Sequence, residues 1–120
     1  MEDLLQEVLY PVLLGSNTLC HAAVRQFQKR LGVDCTVLTG KRALTLRFMP
    51  GVHLVDASPH LPDDLLLAIL SDLEADCRYA VPLLVLCDPS YEGFVARNRS
   101  ALETRFIIRN ARELSGGAGR

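Results

Sequence analysis

Apolar residues fall along this chain in two rhythms: short unbroken runs, and longer stretches with an apolar residue at every third or fourth position. The runs are Tyr10-Pro11-Val12-Leu13-Leu14, Cys35-Thr36-Val37-Leu38 and Leu83-Leu84-Val85-Leu86. Such a run, bounded by turn formers, fits a strand covered on both faces, as in a parallel sheet. Between the first two runs, Thr18 to Leu31 has helical spacing. Leu19, Ala22, Ala23, Phe27 and Leu31 lie on one side, and Arg25, Gln28 and Lys29 on the other. Gly32 stands where a helix C′ glycine belongs. Strand, helix and strand make a βαβ unit with a right-handed crossover.

The second half continues the alternation. Leu44–Phe48 and Val52–Asp56 read as short strands around a Met49-Pro50-Gly51 turn. A helix is expected over Pro62–Ala75, with Leu65, Leu66, Ile69, Leu70 and Leu73 on its apolar face. Pro62 suits its first turn, and Asp63 and Asp64 its positive end. Pro82 opens the third run, where a missing N–H is tolerated. Cys87-Asp88-Pro89-Ser90 is then a loop, with Ser90 as the N-cap of the next helix. Phe106–Ile108 is a last strand, and Asn110 with Glu113 has capping-box spacing for a final helical turn. The whole predicts an α/β, Rossmann-like three-layer sandwich with a mostly parallel sheet of about four or five strands. One domain covers residues 1–114, and the glycine-rich residues 115–120 form a flexible tail or the start of a linker.

Composition narrows the function. With 120 residues, 49% of them hydrophobic, the chain has material for one core. A net charge of −1 argues against a nucleic acid or a membrane surface as partner. No apolar stretch approaches the ~20 residues of a membrane span, and Glu2 and Asp3 replace the basic start of a signal peptide. Cys20, Cys35, Cys77 and Cys87 have neither C-x-x-C nor zinc spacing and read as reduced, buried thiols. These features together point to the cytoplasm.

In open parallel sheets, ligands bind beyond the carboxyl ends of the strands, at the switch in strand order. Two loops have that address: Gly15-Ser16-Asn17-Thr18 and Cys87-Asp88-Pro89-Ser90-Tyr91-Glu92. The first either offers N–H groups to an anion or simply turns and caps the helix. Neither G-x-G-x-x-G nor a P-loop occurs, which disfavours a stand-alone NAD enzyme or NTPase. Asp88 and Glu92, four apart, suit a helix N-terminus better than acid–base catalysis. His21 lies near the first loop, while His53 and His60 are scattered and no set has metal-ligand spacing. Arg97, Arg99, Arg105 and Arg109 read as a solvated face or a contact for an acidic neighbouring domain.

Two segments resemble a known family. Tyr10-Pro11-Val12-Leu13-Leu14-Gly15-Ser16-Asn17, then Ala22-Ala23-Val24-Arg25-Gln26-Phe27 and Leu31-Gly32-Val33, is similar to the start of ATP-grasp carboxylate–amine ligases of the D-aspartate ligase type. The second segment holds Asp88, Tyr91, Glu92, Val95, Asn98 and Leu102, followed by Phe106-Ile107-Ile108. It resembles the family's later loop, helix and short strand. Asn17 stands where an acidic residue is frequent, and Leu31 replaces an aromatic. The resemblance spans about Tyr10 to Leu114 and implies a pre-ATP-grasp domain that scaffolds the enzyme and walls its substrate site. It places Gly15, Ser16, Asn17, Asp88, Ser90 and Tyr91 toward the ligase cleft. It implies no catalytic residue and no cofactor in this chain, since ATP and magnesium belong to an ATP-grasp module joined in cis or in trans. The alternatives are a stand-alone small-molecule, nucleotide-binding or interaction module, and a homodimer formed through a face that further domains would cover.

Overall fold

Val12, Leu13 and Leu14 expose no surface at all, because the first strand is covered above, below and on both edges. In the computed structural model this strand, β1 (Leu9–Leu14), pairs in parallel with β2 (Cys35–Thr39) on one side and β4 (Val81–Leu86) on the other. β3 (Val52–Asp56) flanks β2 and β5 (Ile107–Asn110) flanks β4, again in parallel. The order β3-β2-β1-β4-β5 makes one five-stranded sheet. The structure describes residues 9–40, 49–76 and 80–113. The expected strand Leu44–Phe48, Cys77 and the tail 115–120 lie outside the described residues.

Strand order and the right-handed crossover together decide which face each helix covers. From β1 the chain steps outward to β2 and β3. α1 (Thr18–Leu31) covers one face, where Cys20, Ala23, Val24 and Phe27 pack on Leu13, Val37 and Val85. After β3 the chain returns past β1 to β4 and β5, in the opposite direction, so the same hand puts the following helices on the other face. These are α2 (Asp63–Ala75), α3 (Glu92–Arg97) and α4 (Arg99–Glu103), with a 3₁₀ turn at Pro89–Tyr91 before α3. Leu66, Leu70, Phe94, Val95 and Leu102 pack there on Val12, Leu14 and Leu84. The result is the expected α/β, Rossmann-like three-layer fold. No helix among the described residues is long and apolar enough to cross a membrane.

Several local expectations need correction. Leu31 and Leu65 were assigned to the inner faces of their helices but are 53% and 50% exposed. The buried arc of α1 is centred on Cys20, Ala23, Val24 and Phe27 and has turned away from the core by Leu31. Leu66 and Leu70, one turn apart, anchor α2, and Leu65 faces outward beside them. Pro62 precedes α2 as its N-cap residue, with extended ψ, rather than sitting inside its first turn. The 3₁₀ turn is capped by Asp88, whose carboxylate accepts from Ser90 N, and not by Ser90.

The arginines mostly find partners within the chain. Arg97 grips Asp63 through two hydrogen bonds of 2.9 and 3.0 Å, and Asn98 Nδ2 donates to the same carboxylate at 2.9 Å. These bonds hold the Asp63 carboxyl down to about 2 and tie α3 to the start of α2. Arg99 pairs with Glu103 and Arg105 with Glu74. All four arginines are exposed, as a solvated face requires, and three of them also pair with carboxylates of this domain.

Cys20, Cys35 and Cys87 are free and buried on the α1 face. Burial, with Cys20 and Asp34 nearby, pushes the Cys35 thiol up to about 12. The Cys87 thiol is raised too, first by its hydrogen bond with Cys20 and then by burial.

Candidate ligand-binding site

The sheet's topological switch lies between β1 and β4, where the chain leaves in opposite directions. The two loops leaving these strands meet at their carboxyl ends. Leu14 O accepts from both Cys87 N and Asp88 N, at 3.1 and 3.0 Å, and Gly15 N donates to Leu38 O at 2.8 Å. Gly15 is buried with φ 114°. A Cβ there would overlap the Cβ of Asp88 and stand 3.0 Å from its backbone N. Only glycine lets the two loops approach so closely.

Asn17 bolts the junction from the side. Its Oδ1 accepts from Cys20 N at 3.1 Å, capping α1, and its Nδ2 donates to Cys87 O at 3.0 Å. Both ends of the amide are thus used inside the domain. Ser16 Oγ and Thr39 Oγ1 are 2.9 Å apart, linking the loops after β1 and β2. Asp88 Oδ1 accepts from Ser90 N at 3.0 Å and from Ser90 Oγ at 2.8 Å. Tyr91 is 1% exposed, and its hydroxyl donates to Ala57 O at 2.6 Å. Burial, with Asp88 and Asp56 adding, pushes this phenol up to about 12.

Beside the junction opens a cleft of about 310 Å³. Thr39 and Gly40 line it from the end of β2, Pro59 and His60 from the segment after β3, and Asp88, Ser90 and Tyr91 from the loop after β4. Of the six residues singled out by sequence, Asp88, Ser90 and Tyr91 line this cleft. Gly15, Ser16 and Asn17 form the junction next to it. Sequence reasoning missed Thr39, Gly40, Pro59 and His60 as lining residues. The signal for them is the strand order, which puts the end of β2 next to β1 and so beside the switch. Glu92 is exposed on α3, and His21 is half-buried, its N–H bonded to Asn17 O. Among the described residues no group of three or more His, Cys, Asp or Glu is placed to hold a metal ion.

Chemically, the cleft presents one carboxylate, hydroxyls and an imidazole. Four backbone donors beside it, Gly15 N, Cys20 N, Asp88 N and Ser90 N, each have an acceptor within the domain. In comparisons with models of protein families, curated proteins and solved structures, nothing matches this chain.

Proposed function

We propose that this chain is the N-terminal, substrate-side domain of an ATP-dependent carboxylate–amine ligase and is catalytically silent alone. The observation that carries the reading is the meeting of Gly15–Asn17 with Asp88–Tyr91 at the switch point. These loops come from the two separate segments that resemble the ligase family. Gly15 packs on Asp88 and Asn17 bonds Cys87 O. In this role the junction is scaffold, and Thr39, His60, Asp88 and Ser90 are the wall turned toward substrate. ATP and magnesium are held by an ATP-grasp module in cis or in trans, and a cytoplasmic location follows from the need for ATP.

The first test is the coding DNA on either side of this frame, followed by co-expression. An ATP-grasp frame, fused or adjacent, is the expected finding. The pure chain should release no ADP from Mg-ATP, whereas the chain with its module should release ADP only when both an amine and a carboxylate are present. ADP release by the pure chain, or the absence of any such frame, would overturn the reading. A second reading, a stand-alone small-molecule-binding module, draws on the cleft having its own lining within this one chain. It predicts ligand-dependent thermal stabilisation of the chain without any second module.

A further inference from the structure

The two long helices, on opposite faces of the sheet, carry charge of opposite sign. α1 has Arg25, Lys29 and Arg30 and no acidic residue. α2, with the Asp76 that ends it, has Asp63, Asp64, Asp72, Glu74 and Asp76 and no basic residue. Solvated helices commonly offset a charge with its opposite three or four positions away. Here Arg25 and Lys29 are four apart on α1, and Asp72 and Asp76 four apart at the end of α2. Like charges at that spacing repel.

Two of the five acids are neutralised inside the domain, Asp63 by Arg97 and Glu74 by Arg105. Among the described residues Asp64, Asp72 and Asp76 have no ion-pair partner, nor have Arg25, Lys29 and Arg30. All six are exposed. The helix dipole accounts for part of the pattern. Asp64 lies in the first turn of α2, and Lys29 and Arg30 in the last turn of α1, where each sign is favoured. It does not account for Asp72 and Asp76. They sit at the carboxyl end of α2, whose last turn holds no basic residue. The dipole and their mutual repulsion both act against them there. Cations brought from outside would relieve both.

The chain's own α1 presents such cations. Leu66 and Leu70 point α2 at the sheet, so its outer face carries Asp64, Leu65, Ala68, Asp72 and Asp76, with Leu65 as exposed apolar surface. Cys20, Val24 and Phe27 point α1 at the sheet, so its outer face carries Arg25, Gln26, Lys29 and Arg30. Three cations can thus meet three carboxylates. A net charge of −1 sets little repulsion between whole copies. Pairing α1 with α1, or α2 with α2, would oppose like charges, so the favoured contact joins unlike faces. Because these faces lie on opposite sides of the sheet, one copy can use both at once.

We infer that copies of this chain associate head to tail, the basic outer face of α1 in one copy seated on the acidic outer face of α2 in the next. Such a heterologous contact grows into a ring or an open stack. One helix face on another is a small interface, so the assembly is weak and forms at about 0.1–1 mM chain. This goes beyond the ligase reading and does not depend on it.

The test is sedimentation velocity of the full chain from about 20 µM to about 1 mM, in about 0.1 M and about 1 M NaCl, between which the screening length falls from about 10 to about 3 Å. At low salt the weight-average sedimentation coefficient should rise with concentration past the value for two copies. At high salt the association should weaken about tenfold or more. Arg25→Glu with Lys29→Glu makes both faces acidic, and Asp72→Lys with Asp76→Lys makes both basic. All four positions are exposed, and lysine suits the end of α2, so both variants should keep the fold, as circular dichroism checks. Each variant alone should associate at least about tenfold more weakly. An equimolar mixture should associate again, because the basic α1 of the second meets the acidic α2 of the first. A monomer at every concentration, growth that stops at two copies, association that survives high salt or either reversal, or a mixture that stays monomeric would each overturn the assignment. None of these outcomes bears on the ADP assay, and failure of that assay leaves this contact standing.

Discussion

Replacing Gly15 with alanine tests whether the loop junction is as tight as its geometry indicates. Two effects add. At φ 114° a side chain is strained by about 1–3 kcal/mol. The new Cβ would also overlap the Cβ of Asp88 and press on its backbone N, 3.0 Å away, and Cα, 3.2 Å away. Those atoms belong to a loop pinned by the Asp88 N bond to Leu14 O and by Asn17, so they cannot swing aside as a flexible side chain would. Overpacking of this kind adds about 1–3 kcal/mol, for a total near 4 kcal/mol. Gly32→Ala is the matched control. Gly32 also has positive φ, 65°, but a Cβ there meets nothing within 4 Å, so only the backbone penalty of about 1 kcal/mol remains. Urea unfolding followed by far-UV circular dichroism is suitable, since the chain has no tryptophan. At a slope of about 1.5 kcal/mol per molar urea, the midpoint should fall by about 2.7 M for Gly15→Ala and about 0.7 M for Gly32→Ala. Equal shifts for the two variants would refute the close-approach argument, because positive φ alone would then account for both.

Asn17→Asp keeps the cap on Cys20 N but cannot donate to Cys87 O, so it should lower stability by about 1 kcal/mol, read as a urea midpoint. Tyr91→Phe leaves Ala57 O without its buried donor and should cost about 1–2 kcal/mol. With the native phenol raised to about 12, its contribution is complete below about pH 10 and is lost as pH rises toward 12, a decline the phenylalanine variant should not share. Asp63 has the opposite sign. Its folded carboxyl is depressed to about 2, so its contribution is present above about pH 4 and lost as pH falls toward 2. Asp63→Asn should flatten the part of the acid limb of stability that Arg97 and Asn98 create. Cys20, Cys35 and Cys87 should resist iodoacetamide at pH 8 in the folded chain and label in urea, as read by peptide mass spectrometry, since all three are buried and, for Cys35 and Cys87, a raised pKa also disfavours the thiolate.

How much of the fold shows in the pattern depends on how each element is buried. β1, β2 and β4 are covered on both faces, so they appear as unbroken apolar runs, and β2 is buried at all five positions. β3 lies at an edge and is less completely covered: His53 and Asp56 are exposed and Val52, Leu54 and Val55 are only half-buried. Phe106 misleads. It reads as the start of the last strand, but its N–H still bonds Leu102 O and its ring plugs the core at 4% exposure, so β5 begins one residue later. α1 misleads differently. Counting only leucine, alanine and phenylalanine shifts the inferred face toward Leu31, because Cys20 and Val24, one turn apart and both fully buried, were left out.

The site is less visible for a physical reason: strand order is a long-range property, and no local pattern states that β1 runs between β2 and β4. Thr39, Pro59 and His60 become neighbours of Asp88 only through strand pairings that join distant segments, up to Leu14 with Leu86. The capping residue, by contrast, was open to local argument. A residue before proline is held extended, the backbone state an N-cap requires, and proline favours the first position after it. Asp88, at φ −99° and ψ 126° ahead of Pro89, meets every condition. Ser90 is the partner that such a cap binds. The consequence reaches the cleft: the side chain that caps the turn is also the carboxylate in the cleft wall. Its orientation is set by two hydrogen bonds from Ser90 before any ligand arrives.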